Sequence, residues 1–551
     1  MGHRRDGDRP AAPFRSRWVI CGTLTTCTPL HVGTGELLDD RLDGEGPEVS
    51  AVVMGLSGNR HRPWIPGSAI RGALRQYAKE RFGDHASFEK VFGSADTRVP
   101  SARGGTLDVG WARVPEDSAP PDTAENWPHW NDTRFTAVQA FVAIDRQTRT
   151  AAGRLLAHRE FVPPGVPFEL EVRGYGWETE DVAFVLKVLE GFNDPDFPVR
   201  VGASRADGWG VMRWKRTGVW VCGRGQVKRW AENGAQSSWR DACRALTEEE
   251  IQGLERKAPS VDKAPARLRL EVTLEFLGPF LVNDPSRCGK GRDVPDHSFL
   301  RDEKGRPFLP GKSFRGALRS QAERILRTMA DRLLKDPARG ACQGCTTACN
   351  GMPLPETAEH VNPSLCPACC LFGAPGWKTP VGVSAFRMPD GSEPVTRRRH
   401  FVAIDRFTGG AAPDLKFDAE VVEGMTRPEE AGTRPLELKG TVSVDTARLG
   451  AVAGGWAFGL LFLLLRDLVE GDIRFGMGAA KGFGAVRASI SAVEVPQELG
   501  AFREALEGWG DPAGPHAETP GQKDPLEVVQ DWVRDLETYL EALKSRRVQG
   551  G

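Results

Sequence analysis

The chain contains an internal duplication, and this feature restricts its fold more than any other. Three sequence blocks occur twice in the same order: PWIPGSAIRGALR at 63–75 and PFLPGKSFRGALR at 307–319, FVAIDR at 141–146 and 401–406, and GASRADGWG at 202–210 with GMGAAKGFG at 476–484. The first pair is identical at 8 of 13 positions. Three collinear blocks with similar spacings do not arise by chance, so the sequence predicts two copies of one structural unit.

The spacing of the blocks predicts the domain boundaries. The first two blocks begin 78 residues apart in the first copy and 94 apart in the second, which places an insertion in the second copy, near residues 341–372. A length of 551 residues suits two domains with appendages. The predicted segments are a first domain at 1–221, a polar linker at 222–265, a second domain at 266–496 and a C-terminal helical appendage at 497–551.

Each copy shows the pattern of a strand, a loop and a helix. Residues 18–33 and 268–282 have the alternating, β-branched character of strands. A polar loop follows each strand, and a Pro-Gly dipeptide then begins a run with helical period. Ser68 and Ser313 are candidate N-caps of the two helices. The pattern predicts an α+β unit in each copy.

The balance of charge excludes a basic protein of the histone class. Lys and Arg total 73 against 74 for Asp and Glu, so any nucleic-acid groove has to be local. The N-terminal segment has arginines but no apolar stretch after them, so no secretory signal is expected. The longest apolar stretch, 451–465, is too short to span a bilayer and predicts a buried helix. We expect a cytoplasmic protein with no membrane partner.

Six of the eleven cysteines lie between residues 342 and 370, in two Cys-x2-Cys knuckles with two further cysteines beside them. The knuckles have the spacing of a tetrahedral structural Zn²⁺ site. The candidate ligands are Cys342, Cys345, Cys366 and Cys369. Cys349 is an alternative to either member of the first knuckle, and Cys370 is an alternative ligand or a buried spare. A redox disulfide of the thioredoxin type lacks its βαβ context here, so we expect Zn²⁺ to stiffen the insertion.

Together, these segments resemble a known family. The paired PxxPG and RGALR blocks, the GAAKGFGAVR and CPACCLFG segments and FVAIDRFTGGAA are similar to the repeat-associated mysterious protein (RAMP) superfamily. More narrowly, they resemble the backbone subunit of type III CRISPR effector complexes. The similarity covers most of residues 17–215 and 266–495, so the chain resembles two such subunits fused in tandem.

The resemblance implies a fold and a set of partners. It implies two tandem ferredoxin-like domains of the RNA-recognition type, with inserted loops, that grip a guide RNA alongside other effector-complex subunits. A hairpin thumb, near the FVAIDR blocks, would separate the guide from a complementary target RNA at intervals. The RNA-binding residues implied are Arg71, Arg75, Arg315, Arg319, Lys312, Gly476, Gly478 and Lys481.

Each of these assignments has a plainer alternative. The arginines would also suit a solvated helix face, because residues four apart project from one side of a helix. The glycine-rich blocks Gly202–Gly210 and Gly476–Gly484 would also suit tight turns without RNA. Asp145 and Asp405 in the FVAIDR blocks would also suit ion pairs with Arg146, Arg406 or neighbouring residues.

A catalytic carboxylate is also implied by the resemblance. Target-cutting backbone subunits have an aspartate before the PxxPG block, followed by three residues, an aliphatic residue, Arg and Asp. The second copy matches with Asp296, Leu300, Arg301 and Asp302. The implied chemistry is attack of a ribose 2′-hydroxyl on the adjacent phosphate, assisted by Mg²⁺ near the carboxylate. The alternative is a loop aspartate that caps a turn.

The first copy departs from this pattern. Aligning Val52 with Leu300 puts Glu48 at the register of Asp296, with no Arg-Asp after it. Asp43, or its neighbours Asp39 and Asp40, is the remaining candidate, and the other hypothesis is that the first copy only binds. His31 invites a general-base role, although a single histidine at a strand end is more often structural.

The sequence therefore supports three hypotheses. The first is a guide-binding backbone subunit that cuts target RNA with a metal at the second copy. The second is a purely structural subunit with the same RNA grip. The third is a guide-processing ribonuclease of the same superfamily, which would use acid–base catalysis without metal.

Overall fold

The computed structural model describes most of the chain. The described residues are 16–37, 49–83, 85–94, 102–145, 148, 150–223, 225–226, 228, 243–260, 267–289, 293–342, 365–428, 430–453, 455–496, 499–507 and 525–542.

The first copy is built on one large sheet and a smaller one. Its strands are β1 Ser16–Thr26, β2 Gly33–Leu37, β3 Val49–Val52, β4 Met54–Ser57, β5 Arg60–Ile65, β6 Leu107–Val109, β7 Ala112–Arg113, β8 Ala137–Ile144, β9 Ala151–Phe161, β10 Pro167–Tyr175, β11 Met212–Gly223 and β12 Arg244–Ala245. Its helices are α1 Gly67–Phe82, α2 Ala86–Phe92, α3 Thr179–Glu190 and α4 Glu248–Glu255.

The large sheet of the first copy has ferredoxin-like topology. β1 lies at its centre and pairs antiparallel with β10 on one side and β11 on the other. β6 and β7 pair with the far edge of β10. If the four main strands β1, β6–β7, β10 and β11 are numbered 1 to 4 in chain order, they lie across the sheet in the order 4-1-3-2. Helices α1 and α3 provide the two connections and contact each other.

The second copy repeats this arrangement. Its strands are β13 Arg267–Phe276, β14 His297–Ser298, β15 Phe308–Leu309, β16 Val381–Val383, β17 Phe386–Arg387, β18 Glu393–Ile404, β19 Ala411–Arg427, β20 Glu430–Arg434, β21 Leu436–Asp445 and β22 Val486–Glu494. Its helices are α5 Gly311–Leu334, α6 Pro367–Phe372, α7 Thr446–Ala453 and α8 Gly455–Val469. β13 lies between β21 and β22, and β16 and β17 pair with β21, which again gives the 4-1-3-2 order. The predicted pair of ferredoxin-like domains is confirmed.

Equivalent apolar residues form the core of each copy. Ile70 and Leu74 of α1 are at most 1% exposed, as are Phe314 and Leu318 of α5. Phe314 stacks between two other rings of its core, with centroid distances of 4.4 and 5.0 Å. Each such side chain contributes about 1.5–3 kcal/mol when it is fully buried. The apolar stretch 451–465, predicted to be one buried helix, is divided between the end of α7 and α8, and most residues of α8 are buried.

The capping prediction is wrong. Helices α1 and α5 begin at the glycine of the Pro-Gly dipeptide, so Pro66 and Pro310 occupy the N-cap positions. Ser68 and Ser313 therefore lie inside the first turn and are exposed. The proline fixes an extended backbone immediately before the helix, and this sets the start of the helix without a side-chain cap.

A protruding β-hairpin extends from each copy. We call β8–β9 the first hairpin and β18–β19 the second hairpin. In each, a short strand from the preceding loop pairs in parallel with the second hairpin strand: β3 with β9, and β14 with β19. The loop that carries the candidate catalytic residues is therefore held against the hairpin.

Two predicted appendages pack on the domains. Within the predicted linker, β12 pairs with β11 and α4 packs on α3, and a disulfide joins Cys222 to Cys243 with their Cα atoms 4.7 Å apart. The tail contains α9 Gly500–Glu507 and α10 Pro525–Ala542. Gly459 lets α10 approach α8, because a Cβ there would lie 2.5 Å from the Trp532 carbonyl oxygen. No helix among the described residues is long and apolar enough to cross a membrane.

The two copies are joined by a contact between a loop and a helix. We call Gly202–Gly210 the first glycine loop and Gly476–Gly484 the second glycine loop. Asp207 of the first glycine loop forms a 2.8 Å ion pair with Arg315 at the start of α5. Lys312, also in the first turn of α5, lies 4.1 Å from the ring centre of Phe141 on the first hairpin. These contacts hold the start of α5 in the second copy against the first glycine loop and the first hairpin.

Removing the junction carboxylate is expected to destabilise the protein. Because Arg315 and Asp207 have side chains only 18% and 8% exposed, D207A would leave a largely buried guanidinium without its partner. We expect a loss of about 3 kcal/mol in the free energy of unfolding, measured by urea denaturation. D117A, which removes an exposed carboxylate, is the control and should change stability by less than about 0.5 kcal/mol. Equal stability of the two variants would contradict the role of the pair.

Candidate functional site

The two glycine loops have the same backbone structure. Each loop is fastened to the segment after the first strand of its own domain by two backbone hydrogen bonds. The bonds join the N–H groups of Ala203, Gly210, Met477 and Gly484 to the carbonyl oxygens of His31, Pro29, Leu281 and Pro279, at 2.7–3.0 Å. The repeated block therefore specifies a repeated turn.

Glycine is required at this turn by backbone geometry. Gly210 and Gly484 have φ values of 78° and 71°, and a Cβ on either would lie 1.9 Å from a carbonyl oxygen of the same loop. Gly476 and Gly478, which the resemblance assigns to RNA binding, have φ values of 89° and 90°. Residues other than glycine rarely adopt such φ values. The turn thus accounts for these glycines, and their contact with RNA stays a prediction.

An aromatic residue in each glycine loop packs against an aromatic residue of the neighbouring hairpin. Trp209 lies 5.9 Å from Phe141, and Phe483 lies 5.9 Å from Phe401, measured between ring centres. Lys481 is exposed, with its Nζ 5.2 Å from the ring centre of Phe417 on the second hairpin. The second hairpin therefore has a cation beside its aromatic rings, an arrangement that suits the phosphates and bases of single-stranded RNA.

The predicted RNA-binding arginines all contact protein groups. In α1, the guanidinium groups of Arg71 and Arg75 donate to the carbonyl oxygen of Phe92 at 2.9 and 3.0 Å, and Arg75 also donates to Gly93. Arg319 in α5, which is equivalent to Arg75, donates to the carbonyl oxygen of Gly373 at 2.9 Å. These bonds hold α2 and α6 against the longer helices, and an RNA contact by the arginines stays a prediction.

The partners of these arginines form a fourth repeated block that the sequence analysis missed. Val91-Phe92-Gly93 ends α2 and Leu371-Phe372-Gly373 ends α6, at the same place in the two copies. A three-residue match is too short to stand out alone. The match could have been found in the sequence from its position, because it lies between the first and second blocks in both copies.

The hairpins present equivalent apolar side chains to solvent. Val142 and Ile144 on the first hairpin correspond to Val402 and Ile404 on the second, and all four are about half exposed or more. Phe407, in the turn of the second hairpin, is fully exposed. Exposed apolar side chains at the tip of a protruding element indicate a binding surface rather than a core.

The aspartates of the FVAIDR blocks organise the hairpin turns. Asp405 accepts hydrogen bonds from the backbone N–H groups of Phe407 and Thr408 at 2.8 and 2.9 Å, and these bonds lower the pKa of its carboxyl group. Asp145 accepts a 2.8 Å bond from the N–H of Thr148. These backbone bonds are a further structural role besides the ion pairs considered from the sequence.

Asp296 lies exposed beside the second hairpin. Its Oδ2 accepts a 2.9 Å bond from the N–H of Asp418 on β19, and its own N–H donates to Asp418 Oδ1 at 3.0 Å. Arg398 pairs with the Asp418 carboxylate at 2.7 Å. Burial opposes ionisation of Asp418, but the bonds from Arg398 and Asp296 lower its pKa overall. Two carboxylates therefore lie side by side at the root of the hairpin.

The rest of the predicted catalytic pattern is structural. Asp302 is fully buried, and it accepts bonds from the N–H groups of Lys304 and Arg306. Burial raises the pKa of Asp302, partly offset by the bond from Arg306. Arg301 pairs with Glu420 of β19 at 3.0 Å. The Arg-Asp part of the pattern thus shapes the turn before the Pro-Gly helix, and Asp296 is its exposed member.

The register that the sequence analysis assigned to the first copy is wrong by one residue. The N–H of Leu300 donates to Val282, whereas the equivalent bond in the first copy runs from Val53, not Val52, to Val32. Strand pairing agrees, because His297 and Ser50 occupy equivalent places beside β19 and β9. Val49 therefore stands where the second copy has Asp296. Glu48 precedes that position and lies outside the described residues, as do Asp39, Asp40 and Asp43.

His31 has a structural environment. It is 5% exposed, and its Nδ1 lies 2.7 Å from the carbonyl oxygen of Glu160. Burial lowers the pKa of His31, so the neutral ring predominates at neutral pH. Glu160 is itself buried. Its carboxylate pairs with Arg134 and accepts a hydrogen bond from the N–H of Val52, and this second bond joins β3 to the first hairpin.

Three cysteines of the predicted zinc site come together. Cys342 Sγ lies 3.6 Å from Cys369 Sγ and 3.7 Å from Cys366 Sγ, close enough for one metal ion to bind all three. Arg319 donates to Cys369 Sγ at 3.1 Å. Burial alone would lower the pKa of Arg319, but Cys369 and Glu323 raise it. Cys345 and Cys349 lie outside the described residues, and Cys370 is buried in the core.

The comparison with known families agrees with the repeated fold. A model of the RAMP superfamily matches residues 23–213 and 273–487, one match in each copy. A search of curated proteins finds no match. The family match covers more than half of the chain and both ferredoxin-like sheets. The chain therefore belongs to the RAMP superfamily, with one RAMP domain in each copy, and this membership implies a CRISPR-associated subunit that binds RNA.

Proposed function

We propose that the chain is a two-unit backbone subunit of a type III CRISPR effector complex. It would bind guide RNA through both copies, and it would cut guide-paired target RNA at Asp296. The observation that carries the proposal is the exposed Asp296 carboxylate, which hydrogen bonds with Asp418 hold against β19 of the second hairpin. A duplex that meets the hairpin would pass this carboxylate.

The residues at Asp296 suit a magnesium-assisted reaction. Mg²⁺ is commonly held by one or two carboxylates together with phosphate oxygens of the substrate, and it would stabilise the charge that develops on the phosphate. Both oxygens of Asp418 already accept hydrogen bonds, so its function is to orient Asp296. Asp296 Oδ1 accepts no hydrogen bond from the described residues, which leaves it for the cation or for the nucleophilic hydroxyl. An RNA target is required because DNA has no 2′-hydroxyl.

Asp296→Asn tests this assignment directly. The change keeps the size of the side chain but removes its charge, so we expect cleavage of one site in a labelled complementary RNA to fall by about 100-fold or more. The measurement is fragment mapping with the purified complex, its guide and Mg²⁺, together with target affinity. Asp293→Asn, in the same exposed loop, is the matched control and should cut as the wild type does.

The same assay separates the alternatives. Target binding without any cut by the wild-type chain would favour the purely structural subunit. Cleavage that persists in EDTA would favour the metal-independent guide-processing ribonuclease. An unchanged fragment pattern for Asp296→Asn would contradict the catalytic assignment.

We also propose that the cysteine cluster holds a structural zinc ion. The thiolates of Cys342, Cys366 and Cys369 are the soft donors that Zn²⁺ prefers, and Cys345 would complete a tetrahedral site. The cluster lies where α6 meets α5, so the metal would fix the inserted segment to the Pro-Gly helix. All-thiolate coordination would make its role one of stability.

Metal analysis of cysteine variants tests the zinc proposal. We expect about one Zn²⁺ per chain in the wild type and a loss of most of it in C369S, with a lower melting temperature, because one ligand is removed. C27S, which changes an exposed cysteine of the first copy, should keep its zinc. A C369S chain with wild-type zinc content would contradict the assignment.

A further inference from the structure

A polar cavity lies between the two copies, on the face of the second sheet that is turned away from its core. Leu268 of β13 and Val442 of β21 belong to that core, so their neighbours along each strand point to the opposite face. There the second half of α1 and the residues 196–200 and 205–206 of the first copy lie across a space of about 140 Å³. We call this space the junction cavity.

Positive charge is in excess around the junction cavity. Its lining includes six cationic and four acidic side chains, and the cations are Arg200, Arg205, Arg267, Arg269, Lys378 and Arg448. Two of the cations are paired, because Glu80 forms an ion pair with Arg267 at 3.2 Å and Asp196 forms one with Arg269. The other four cations form no ion pair with a carboxylate among the residues that the structure describes.

Two of the unpaired arginines are poorly compensated by other groups. The Nε of Arg448 is buried without a hydrogen-bond partner, and its guanidinium lies 4.2 Å from the ring centre of Trp377. Arg200 donates to the carbonyl oxygen of Arg205 at 2.8 Å. Burial, and then the positive charges of Arg267 and Arg205, lower the pKa of Arg200 to about 10. A charge removed from water costs free energy unless it is paired, so an anion here would be stabilising.

The cations come from both copies. Arg200 and Arg205 belong to the first copy, whereas Lys378, in the loop before β16, belongs to the second together with Arg448. Burial of the Lys378 amine, and then the charges of Arg205, Arg267 and Arg448, lower its pKa. An anion in the junction cavity would therefore bridge the two copies and remove repulsion between them.

A phosphate group suits this cavity in charge and size. Guanidinium groups bind phosphate oxygens through paired N–H donors. A phosphate dianion would also offset the excess of six cations over four acids. At about 30 Å³ for each water molecule, the cavity has the volume of four or five waters, which is room for a phosphate group but not for a whole nucleotide.

The junction cavity lies far from the second hairpin. Arg267 and Arg269 are at the start of β13, whereas Phe280, just after the end of β13, pairs with Val422 of the hairpin. At about 3.3 Å per residue, β13 spans roughly 30 Å between these two places. The cavity is also built from different parts of the two copies, whereas the proposed RNA contacts lie at equivalent places in each. These positions favour a small anion from solution over the backbone of the guide RNA.

We propose that the junction cavity binds the phosphate group of a small anion, of which inorganic phosphate is the simplest, and that this anion holds the two copies together. The site is separate from Asp296, and it is expected whether or not the chain cuts RNA.

Equilibrium dialysis of radiolabelled orthophosphate tests the proposal on the full chain, after nucleic acid has been removed by high salt. We expect about one phosphate per wild-type chain. R205Q and K378Q should each weaken binding by at least about tenfold, because each removes a charged donor to the phosphate. K215Q removes an exposed lysine of β11 outside the cavity, and it should bind phosphate as the wild type does.

Thermal unfolding tests the bridging role. Sodium phosphate, compared with sodium chloride at equal ionic strength, should raise the melting temperature of the wild type and of K215Q by about 2 °C or more. The rise should be lost in R205Q and K378Q. The same melting curves show which variants fold, and either variant alone is sufficient because the two residues lie in different copies.

A competition arm distinguishes the source of the phosphate group. A short single-stranded RNA with hydroxyl ends should leave the labelled phosphate bound, and displacement by this RNA would assign the cavity to an RNA backbone and overturn the proposal. A wild-type chain that binds no phosphate would also overturn it. So would folded R205Q and K378Q chains that bind phosphate as tightly as K215Q.

Discussion

The ion pair between Asp207 and Arg315 connects the two halves of the molecule. It joins a glycine loop, which is fastened to the first strand of its own sheet, to the first turn of the Pro-Gly helix in the next domain. Since that helix also carries the core of the second domain, the pair positions the second sheet relative to the first, together with other contacts between the copies such as the ion pair of Arg267 with Glu80.

The two copies keep the same framework but differ in chemistry. The glycine loops, the aromatic contact between each glycine loop and its hairpin, and the exposed apolar tips are repeated. The carboxylate at the hairpin root is not, because Val49 stands where the second copy has Asp296. This difference gives the second copy an exposed carboxylate that the described part of the first copy does not offer at that place.

The sequence was sufficient for the fold because the repeats mark positions with strict backbone requirements. Positive φ at Gly210 and Gly484 and the extended backbone before the Pro-Gly helices are local properties that the residue types reveal. The register before β4 was not predictable by counting residues. A hydrogen bond between Val53 and Val32 sets it, and that bond depends on the path of the long loop before it. Similarly, the spacing of Arg71 and Arg75 indicates a shared helix face but not the carbonyl group of Phe92 that they contact.

Photo-crosslinking of the guide RNA would show whether both copies grip one RNA, one after the other along its length. Guide RNAs with a single 4-thiouridine placed at successive positions would be assembled with the full complex, and the crosslinked peptides would be identified by mass spectrometry. We expect crosslinks that alternate at a regular interval between the first hairpin, with its glycine loop, and the second hairpin with its own. Crosslinks confined to one copy, or crosslinks to both copies from the same guide position, would contradict it.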